Sequence, residues 1–152
     1  MRVHDIMTRD ALSCPADSDL ASAARLMLNA RVGSLPVVDP HGRVTGMLTD
    51  RDIAMATGIR LRHASDIQAH EAMSCRVRGC LAYDEVGAAL RQMQEARVRR
   101  LPVLDVHGHL VGILSIDDIL LQAVGAEDGV APEEFLGAMR TICAGPSVEP
   151  EV

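Results

Sequence analysis

The alternation of apolar and polar positions along the chain predicts two copies of one series of helices and strands. In copy one, apolar residues recur at helical spacing after Asp17, and a short apolar strand begins at Leu35. A turn, a second strand and a second helix then follow. Apolar positions three and four residues apart indicate an amphipathic helix, whereas short apolar runs bounded by Gly or Pro indicate strands. Copy two repeats this order, so each copy reads strand, helix, strand, strand, helix.

Capping residues and glycines predict where the helices begin and end. Asp17 or Ser18 is the expected N-cap of the first helix, and Gly58 is expected to end the helix that begins at Thr49. Pro132 is expected to open a further helix after copy two. Residues 145–152 contain two prolines and two glutamates and are expected to form a flexible tail.

An internal repeat accounts for the two copies. The segment from Val32 to Met55 returns 66 residues later as Val98 to Leu121, with 11 of 24 positions identical and no gap. Such a repeat sets the architecture. A unit of about sixty residues buries too little surface to be stable alone, so we expect the copies to share one core. The predicted fold class is α+β, with units at 1–62 and 63–125 and a C-terminal helix and tail at 126–152.

Composition argues against two classes of protein. The net charge of −6 and the near absence of aromatic residues argue against a nucleic-acid-binding protein. The chain has no long apolar run and no signal peptide, and its four cysteines form no C-x-x-C pair. We therefore expect a cytoplasmic protein with free thiols and no membrane association. All 15 basic residues of the Lys and Arg class are arginine, so any cationic contact with a phosphate must come from arginine.

One motif, present twice, carries the candidate chemistry. The segments Gly46 to Asp52 and Gly112 to Asp118 both read glycine, two apolar residues, a hydroxyl residue, two free positions and aspartate. The hydroxyl and the aspartate have the spacing of a helix capping box, which needs no ligand. A helix start also attracts phosphate, a hydroxyl can donate to a phosphate oxygen, and an aspartate can accept from a ribose diol. The glycine would permit close backbone approach. Spacing alone leaves both interpretations open.

The surrounding pattern resembles a pair of CBS domains, the cystathionine-β-synthase type. The resemblance rests on L-P-V-x-D, x-G-x-x-x-G and G-h-h-[ST]-x-x-D, each present in both copies, and covers about Val3 to Val124. It implies a Bateman module of two β-α-β-β-α units packed around a pseudo-twofold axis. Such a module binds AMP, ADP or ATP, or else S-adenosylmethionine, in clefts between the units. It further implies a regulatory protein without catalysis or a required cofactor, a homodimer, and a regulated protein partner that the sequence does not identify.

The resemblance also implies which residues contact the ligand. Phosphate and ribose contacts are expected at the motif's hydroxyl and aspartate and at nearby arginines: Thr49, Arg51, Asp52, Arg99, Arg100, Ser115 and Asp118. Adenine contacts are expected at Ala11, Leu35, Pro36 and Met47 in copy one and at Val77, Leu101, Pro102 and Ile113 in copy two.

The copies are expected to bind unequally. Copy one has Gly33 and Ser34 where copy two has Arg99 and Arg100. The resemblance implies that phosphates at the copy-one site meet Arg99 or Arg100. We therefore expect one tightly bound phosphorylated ligand at the Asp52 site and weak or no binding at the Asp118 site. An ordinary solvated loop is the alternative for the arginine pair.

The sequence gives little support for metal binding, for a catalytic triad or for cysteine chemistry. His41 and His107 lie in predicted hairpin turns, and no cluster at metal-ligand spacing or Ser-His-Asp set accompanies them. Cys14 and Cys80 are repeat-equivalent in apolar surroundings and are predicted to be small core residues. Two alternatives to nucleotide binding remain open: a CBS-fold interaction protein without a ligand, and an enzyme or redox sensor that uses the cysteines.

Overall fold

The computed structural model describes residues 1–144, which form seven α-helices and seven β-strands. In chain order these are α1 (Val3–Ile6), β1 (Thr8–Arg9), β2 (Cys14–Pro15), α2 (Leu20–Ala30), β3 (Ser34–Val38), β4 (Val44–Thr49), α3 (Asp50–Arg60), α4 (Ala69–Ala72), β5 (Cys80–Leu81), α5 (Val86–Ala96), β6 (Arg100–Leu104), β7 (Leu110–Ser115), α6 (Ile116–Gln122) and α7 (Pro132–Cys143). The predicted α+β class and the C-terminal helix are confirmed. The tail predicted at 145–152 lies outside the described residues.

The chain forms two compact units. Each unit combines most of one copy with the first residues of the other copy, which we call its lead-in segment: residues 1–10 in copy one and 63–77 in copy two. The first unit contains residues 11–77 and 105–110, and the second contains residues 1–10, 78–104 and the described residues from 111 onward. These units differ from the contiguous segments 1–62 and 63–125, because α1 and β1 fold with copy two and α4 folds with copy one. The two lead-ins are repeat-equivalent, so sequence alone does not say which unit each one completes.

The first unit is built on a three-stranded sheet in the order β2-β3-β4. β2 is parallel to β3, and β3 is antiparallel to β4 with Pro36 opposite Met47. Ser74 forms an antiparallel bridge to Met47. The core of this unit consists of Cys14, Leu20, Ala23, Met27, Leu35, Val37, Leu48, Ile67 and Ala69.

The second unit has a four-stranded sheet in the order β1-β7-β6-β5, in which Thr8 of the lead-in lies opposite Ile113. This pairing is the repeat equivalent of the Ser74–Met47 bridge. Helix α7 packs on α5. Its buried residues Ala138 and Ile142 belong to the core of this unit.

The structure has two hydrophobic clusters, one in each unit, so the prediction of one shared core is wrong for the described residues. The exchange of lead-ins explains how units of this size are stable. Ile67 joins the first cluster, whereas Val3 and Ile6 join the second. Each fully buried aliphatic side chain contributes about 1.5–3 kcal/mol, so the exchanged residues matter for both units.

Two helix boundaries differ from prediction. The N-cap of α2 is Asp19, whose carboxylate accepts a hydrogen bond from the backbone N–H of Ser22 at 2.8 Å. Helix α3 continues through Gly58 and ends at Arg60, with Leu61 in the left-handed region at φ 51°. Glycine within a helix costs only about 1 kcal/mol, so one glycine does not end α3.

Candidate functional site

The hydroxyl–aspartate motif forms a capping box at the start of α3. Thr49 donates from its backbone N–H to Asp52 Oδ2 at 2.9 Å and from its hydroxyl to the same oxygen at 2.8 Å. The backbone N–H of Asp52 donates to Thr49 Oγ1 at 3.1 Å. At α6 the same three bonds join Ser115 and Asp118, at 2.8, 2.6 and 3.1 Å. The capping interpretation is therefore confirmed at both helix starts.

The caps leave one carboxylate oxygen of each aspartate available. In each cap, both bonds to the carboxylate end on Oδ2, and within residues 1–144 no hydrogen bond reaches Oδ1 of Asp52 or Asp118. A carboxylate oxygen can accept from a ribose hydroxyl, so capping and ribose binding are compatible. The cap hydroxyls are different, because each already donates its one proton to the aspartate. A phosphate contact from Thr49 or Ser115 would break that bond.

The glycine of the motif is explained by packing inside each unit. A Cβ at Gly112 would lie 2.8 Å from the carbonyl oxygen of Thr8 and 2.9 Å from Met7 Sδ. A Cβ at Gly46 would meet the side chain of Met73 and lie 3.1 Å from the carbonyl oxygen of Ser74. In both units the close approach expected from sequence is therefore made by the lead-in segment.

The strands that carry the Leu-Pro pairs, β3 and β6, place the two residues of each pair on opposite faces of the sheet. Only one residue of each pair can therefore lie on the side of a ligand. Leu35 and Leu101 are 1% and 0% exposed and belong to the two hydrophobic clusters, so the structure does not make them available to a ligand. Successive side chains of a strand point to opposite faces, so the neighbouring prolines lie on the other face.

On that other face, Pro36 of β3 and Met47 of β4 are directly opposite each other. Pro36 is buried and Met47 is half-buried. In the second unit, Pro102 is buried and Ile113 is half-buried. Ala11 and Val77 are also half-buried. These assignments remain predictions.

A small cationic pocket lies beside the start of α6 in the second unit. It has a volume of about 200 Å³ and is lined by Arg99, Arg100, Ile116, Asp117 and Met139. The backbone N–H of Ile116 donates to the carbonyl oxygen of Arg99 at 2.9 Å, which holds the arginine pair next to the helix start. Two arginines and one aspartate give this lining a net positive charge, and the Arg99 guanidinium also donates to Cys143 Sγ of α7 at 3.7 Å. The arginines thus lie beside the Ser115–Asp118 cap of their own copy.

The equivalent positions in the first unit carry different chemistry. Gly33 and Ser34 replace the two arginines, and Asp50 and Arg51 replace Ile116 and Asp117. One carboxylate and one guanidinium give no net charge. Ser34 Oγ is shielded from solvent and has no hydrogen-bond partner among the described residues. A ligand hydroxyl or amine is one group that could satisfy it.

Sequence reasoning did not identify Ser34 or Met139 as site residues. Ser34 could have been found as the repeat equivalent of Arg100. Met139 could not, because α7 has no counterpart in copy one and its contact with the pocket depends on tertiary packing.

Within the described part of the chain, no group of three or more His, Cys, Asp or Glu residues is placed to hold a metal ion. Burial raises the pKa of the Cys80 thiol to about 12 and also raises the pKa of Cys14, which fits the predicted core role of both. His109 holds the pKa of Asp105 down at about 2, through hydrogen bonds from its backbone N–H and its ring. Within residues 1–144, no helix has the length and apolar character needed to cross a membrane.

Similarity to known proteins is consistent with this geometry. The CBS domain pattern matches residues 3–58 and 64–125. The chain is 33% identical over 125 residues to the CBS domain-containing protein YhcV of Bacillus subtilis, a match covering 82% of this chain and 87% of YhcV. It is 27% identical over 156 residues to inosine-5'-monophosphate dehydrogenase of Mycobacterium leprae. That match covers 93% of this chain but spans only 28% of the enzyme.

A solved structure gives the same result. The CBS domain pair of protein MJ0100, in complex with 5'-methylthioadenosine and S-adenosyl-L-methionine, matches with a TM-score of 0.72 and 25% identity. The match covers 80% of this chain and 94% of that chain. Two family segments, a repeated strand and cap motif, and the match to YhcV along most of both chains agree. This chain belongs to the CBS domain family and contains a tandem pair of CBS domains.

Proposed function

We propose that this protein is a regulatory, non-catalytic module that binds an adenosine nucleotide, AMP, ADP or ATP. Its ribose would contact the aspartate of a helix cap, and its phosphate would contact Arg99 and Arg100. The observation that carries the proposal is the cationic pocket directly beside the Ser115–Asp118 cap. A homodimer and a regulated protein partner are part of the same proposal.

The size and charge of the pocket favour a phosphate group. Pockets for whole small-molecule ligands are about 300–1,000 Å³. A pocket of about 200 Å³ suits one part of a nucleotide better than all of it. The planar guanidinium of arginine can bind phosphate oxygens in a bidentate manner, and such charge-assisted bonds are roughly twice as strong as neutral ones.

The cap supplies the ribose contact without losing its structural role. Asp118 Oδ2 holds the start of α6 through Ser115, so Oδ1 can accept from a ribose hydroxyl. Because the Ser115 hydroxyl donates to Asp118 at 2.6 Å, we assign the phosphate to the arginines. Ile113 and Pro102 would provide apolar contacts for adenine in this unit.

The first unit would bind the adenosine part with less dependence on phosphate. Asp52 has the same available oxygen as Asp118, and Met47, Pro36 and Ala11 would provide the apolar contacts. Arg51 is exposed at the helix start and is the cation of this site. Gly33 and Ser34 offer no further positive charge.

S-adenosylmethionine is the second candidate ligand, since the related MJ0100 pair binds it. This ligand has a sulfonium cation and no phosphate. The net positive charge around Arg99 and Arg100 therefore favours a nucleotide over S-adenosylmethionine in the second unit. The surroundings of Ser34 in the first unit have no net charge, so they favour neither the nucleotide nor S-adenosylmethionine.

Thermal unfolding with AMP, ADP, ATP and S-adenosylmethionine tests the proposal. A ligand that binds only the folded state at one hundred times its dissociation constant adds about 2.7 kcal/mol. For a chain of this length, that raises the melting temperature by about 5–10 °C. We expect the nucleotides to produce this shift. No shift with any of the four would favour an interaction protein that lacks a ligand.

Asp118→Asn and Asp52→Asn are the matched variants for this measurement. Asparagine can still accept the cap hydrogen bond, so unfolding without ligand should change by at most about 1 kcal/mol. We expect Asp118→Asn to lose most of the nucleotide-induced shift. If both variants keep the full nucleotide-induced shift in melting temperature, the two aspartates act only as helix caps and do not bind the ribose.

A further inference from the structure

One wall of the cationic pocket in the second unit comes from outside both CBS segments. Met139 of α7 lines the pocket together with Arg99, Arg100 and Asp117. Helix α7 begins at Pro132, whereas the CBS pattern matches residues 3–58 and 64–125. The wall formed by Met139 is therefore an addition to the framework that the two copies share, and the first unit has no equivalent of it.

Helix α7 is anchored on the second unit, which fixes the position of Met139. Ala138 and Ile142 are buried in the core of this unit, and the Gln94 side chain of α5 donates to Thr141 Oγ1 at 3.2 Å. Met139 is half-buried and packs against the same core while it lines the pocket. Its side chain is thus a supported wall of the pocket.

The same helix also positions one of the two arginines. Cys143 follows Met139 by four residues, so both side chains lie on one side of α7. The Arg99 guanidinium donates to Cys143 Sγ at 3.7 Å. A guanidinium has five N–H donors, so this contact leaves donors of Arg99 for phosphate oxygens. Helix α7 therefore sets both a wall of the pocket and the place of a cation in it.

The walls of the pocket differ in what they offer a phosphate chain. Arg99 and Arg100 supply donors, whereas the Met139 thioether has no donor and an ionised Asp117 carboxylate only accepts. A second or third phosphate would add negative charge near Asp117. Phosphate oxygens placed against the thioether would lose water without gaining a hydrogen bond. With a volume of about 200 Å³, the pocket has donors and space for one phosphate group.

We propose that Met139 and Asp117 determine specificity by restricting this pocket to a nucleoside monophosphate, so that AMP binds more tightly than ATP. Met139 limits the space beyond the first phosphate, and Asp117 repels the charge of a longer chain. The inference rests on the proposed function, because it requires a nucleotide whose phosphate contacts Arg99 and Arg100.

The test is titration calorimetry of AMP and ATP, without divalent cations, on the wild type, Met139→Ala and Met139→Leu. We expect the wild type to bind AMP at least about tenfold more tightly than ATP, since the longer chain meets a carboxylate and no further donor. Met139→Ala removes the wall and should bring the two affinities within about threefold by strengthening ATP. Met139→Leu keeps a similar apolar volume and should preserve the wild-type ratio. The ratio compares two ligands on one variant, so a loss of stability cannot imitate this result.

Asp117→Asn tests the charge separately, because it removes the carboxylate charge at nearly constant size. ATP affinity should rise by at least about threefold more than AMP affinity, since ATP carries more negative charge. Glu127→Gln removes the same charge at an exposed residue outside the pocket lining and should leave the ratio unchanged.

The outcomes separate this inference from the proposed function. Equal affinities of AMP and ATP for the wild type, or tighter ATP, would overturn the inference and leave nucleotide binding intact. An unchanged ratio in Met139→Ala would remove Met139 from the assignment, and an unchanged ratio in Asp117→Asn would remove Asp117. If the wild type binds neither AMP nor ATP, the proposed function and this inference both fail.

Discussion

The two units share one framework and differ in what surrounds it. Each has a three-bond cap at the last helix of its copy and a glycine that lies against an exchanged lead-in. In the second unit, α7 covers the helix face and two arginines stand beside the cap. In the first unit, that face is open and glycine and serine replace the arginines.

This difference separates the residues that build the fold from the residues that define its use. Positions fixed by packing, such as Gly46 and Gly112, are identical in both copies. The positions that differ include those around the caps and those on the outer helix faces, such as Leu28 and Gln94. We infer that the second unit carries the charge for a phosphate ligand.

The largest expected effect concerns where the chain is divided. The fragment 1–62 lacks Ile67 and Ala69 of the first core, whereas the fragment 11–77 contains all of that core. We expect 1–62 to show no cooperative unfolding and 11–77 to retain helix that melts cooperatively, measured by circular dichroism. If 1–62 is the more stable fragment, the lead-ins are not exchanged as described.

The sequence predicts the parts of the structure that depend on local pattern. The caps at Thr49 and Ser115 follow from the spacing of hydroxyl and aspartate, and the start of α7 follows from Pro132. The repeat gives the fold class, because eleven identities without a gap require two equivalent units. The caps and the start of α7 depend only on residues close together in the sequence, and the two equivalent units follow from the internal repeat.

The sequence does not predict features that depend on which segments pack together in the tertiary structure. Nothing in the repeat says which lead-in completes which unit, so two cores were not foreseen. The resemblance implies adenine contacts at both Leu35 and Pro36, although the two-residue period of a strand places them on opposite faces. The cap of α2 is Asp19, and neither Asp17 nor Ser18, because the Asp19 carboxylate accepts the hydrogen bond from the backbone N–H of Ser22.

Thiol reactivity tests whether the two cores are alike. Cys14 and Cys80 are buried, and burial raises both pKa values, that of Cys80 to about 12. The thiolate is the reactive form, so at pH 8 we expect both to react at least about a hundredfold slower than exposed Cys75 and Cys143. Ellman's reagent should modify two thiols quickly and four after denaturation. Rapid reaction of four native thiols would contradict two closed cores and favour a redox role.

Alanine at the two motif glycines tests a smaller difference between the units. In Gly112→Ala the new methyl meets a backbone oxygen at 2.8 Å, so we expect a loss of about 1–3 kcal/mol. In Gly46→Ala the nearest atoms belong to the flexible side chain of Met73, so the loss should be smaller. Chemical denaturation measures both.

Gly58→Ala is the control for the glycine pair. Gly58 lies inside α3 with nothing near its Cβ position, so alanine should raise the free energy of unfolding by up to about 1 kcal/mol. Equal losses at Gly46 and Gly112 would mean that the lead-ins pack equally tightly in the two units.

The most direct test of the account is titration calorimetry of AMP and adenosine with Arg99→Gly/Arg100→Ser, which gives the second unit the residues of the first. Charge-assisted hydrogen bonds contribute about 1.5–3 kcal/mol, so AMP affinity should fall at least about tenfold while adenosine affinity stays unchanged. Arg97→Asn, which removes a neighbouring exposed arginine at φ 53°, should leave both ligands unaffected. Unchanged AMP binding in the double variant, or an equal loss for AMP and adenosine, would contradict the assignment of the phosphate to Arg99 and Arg100.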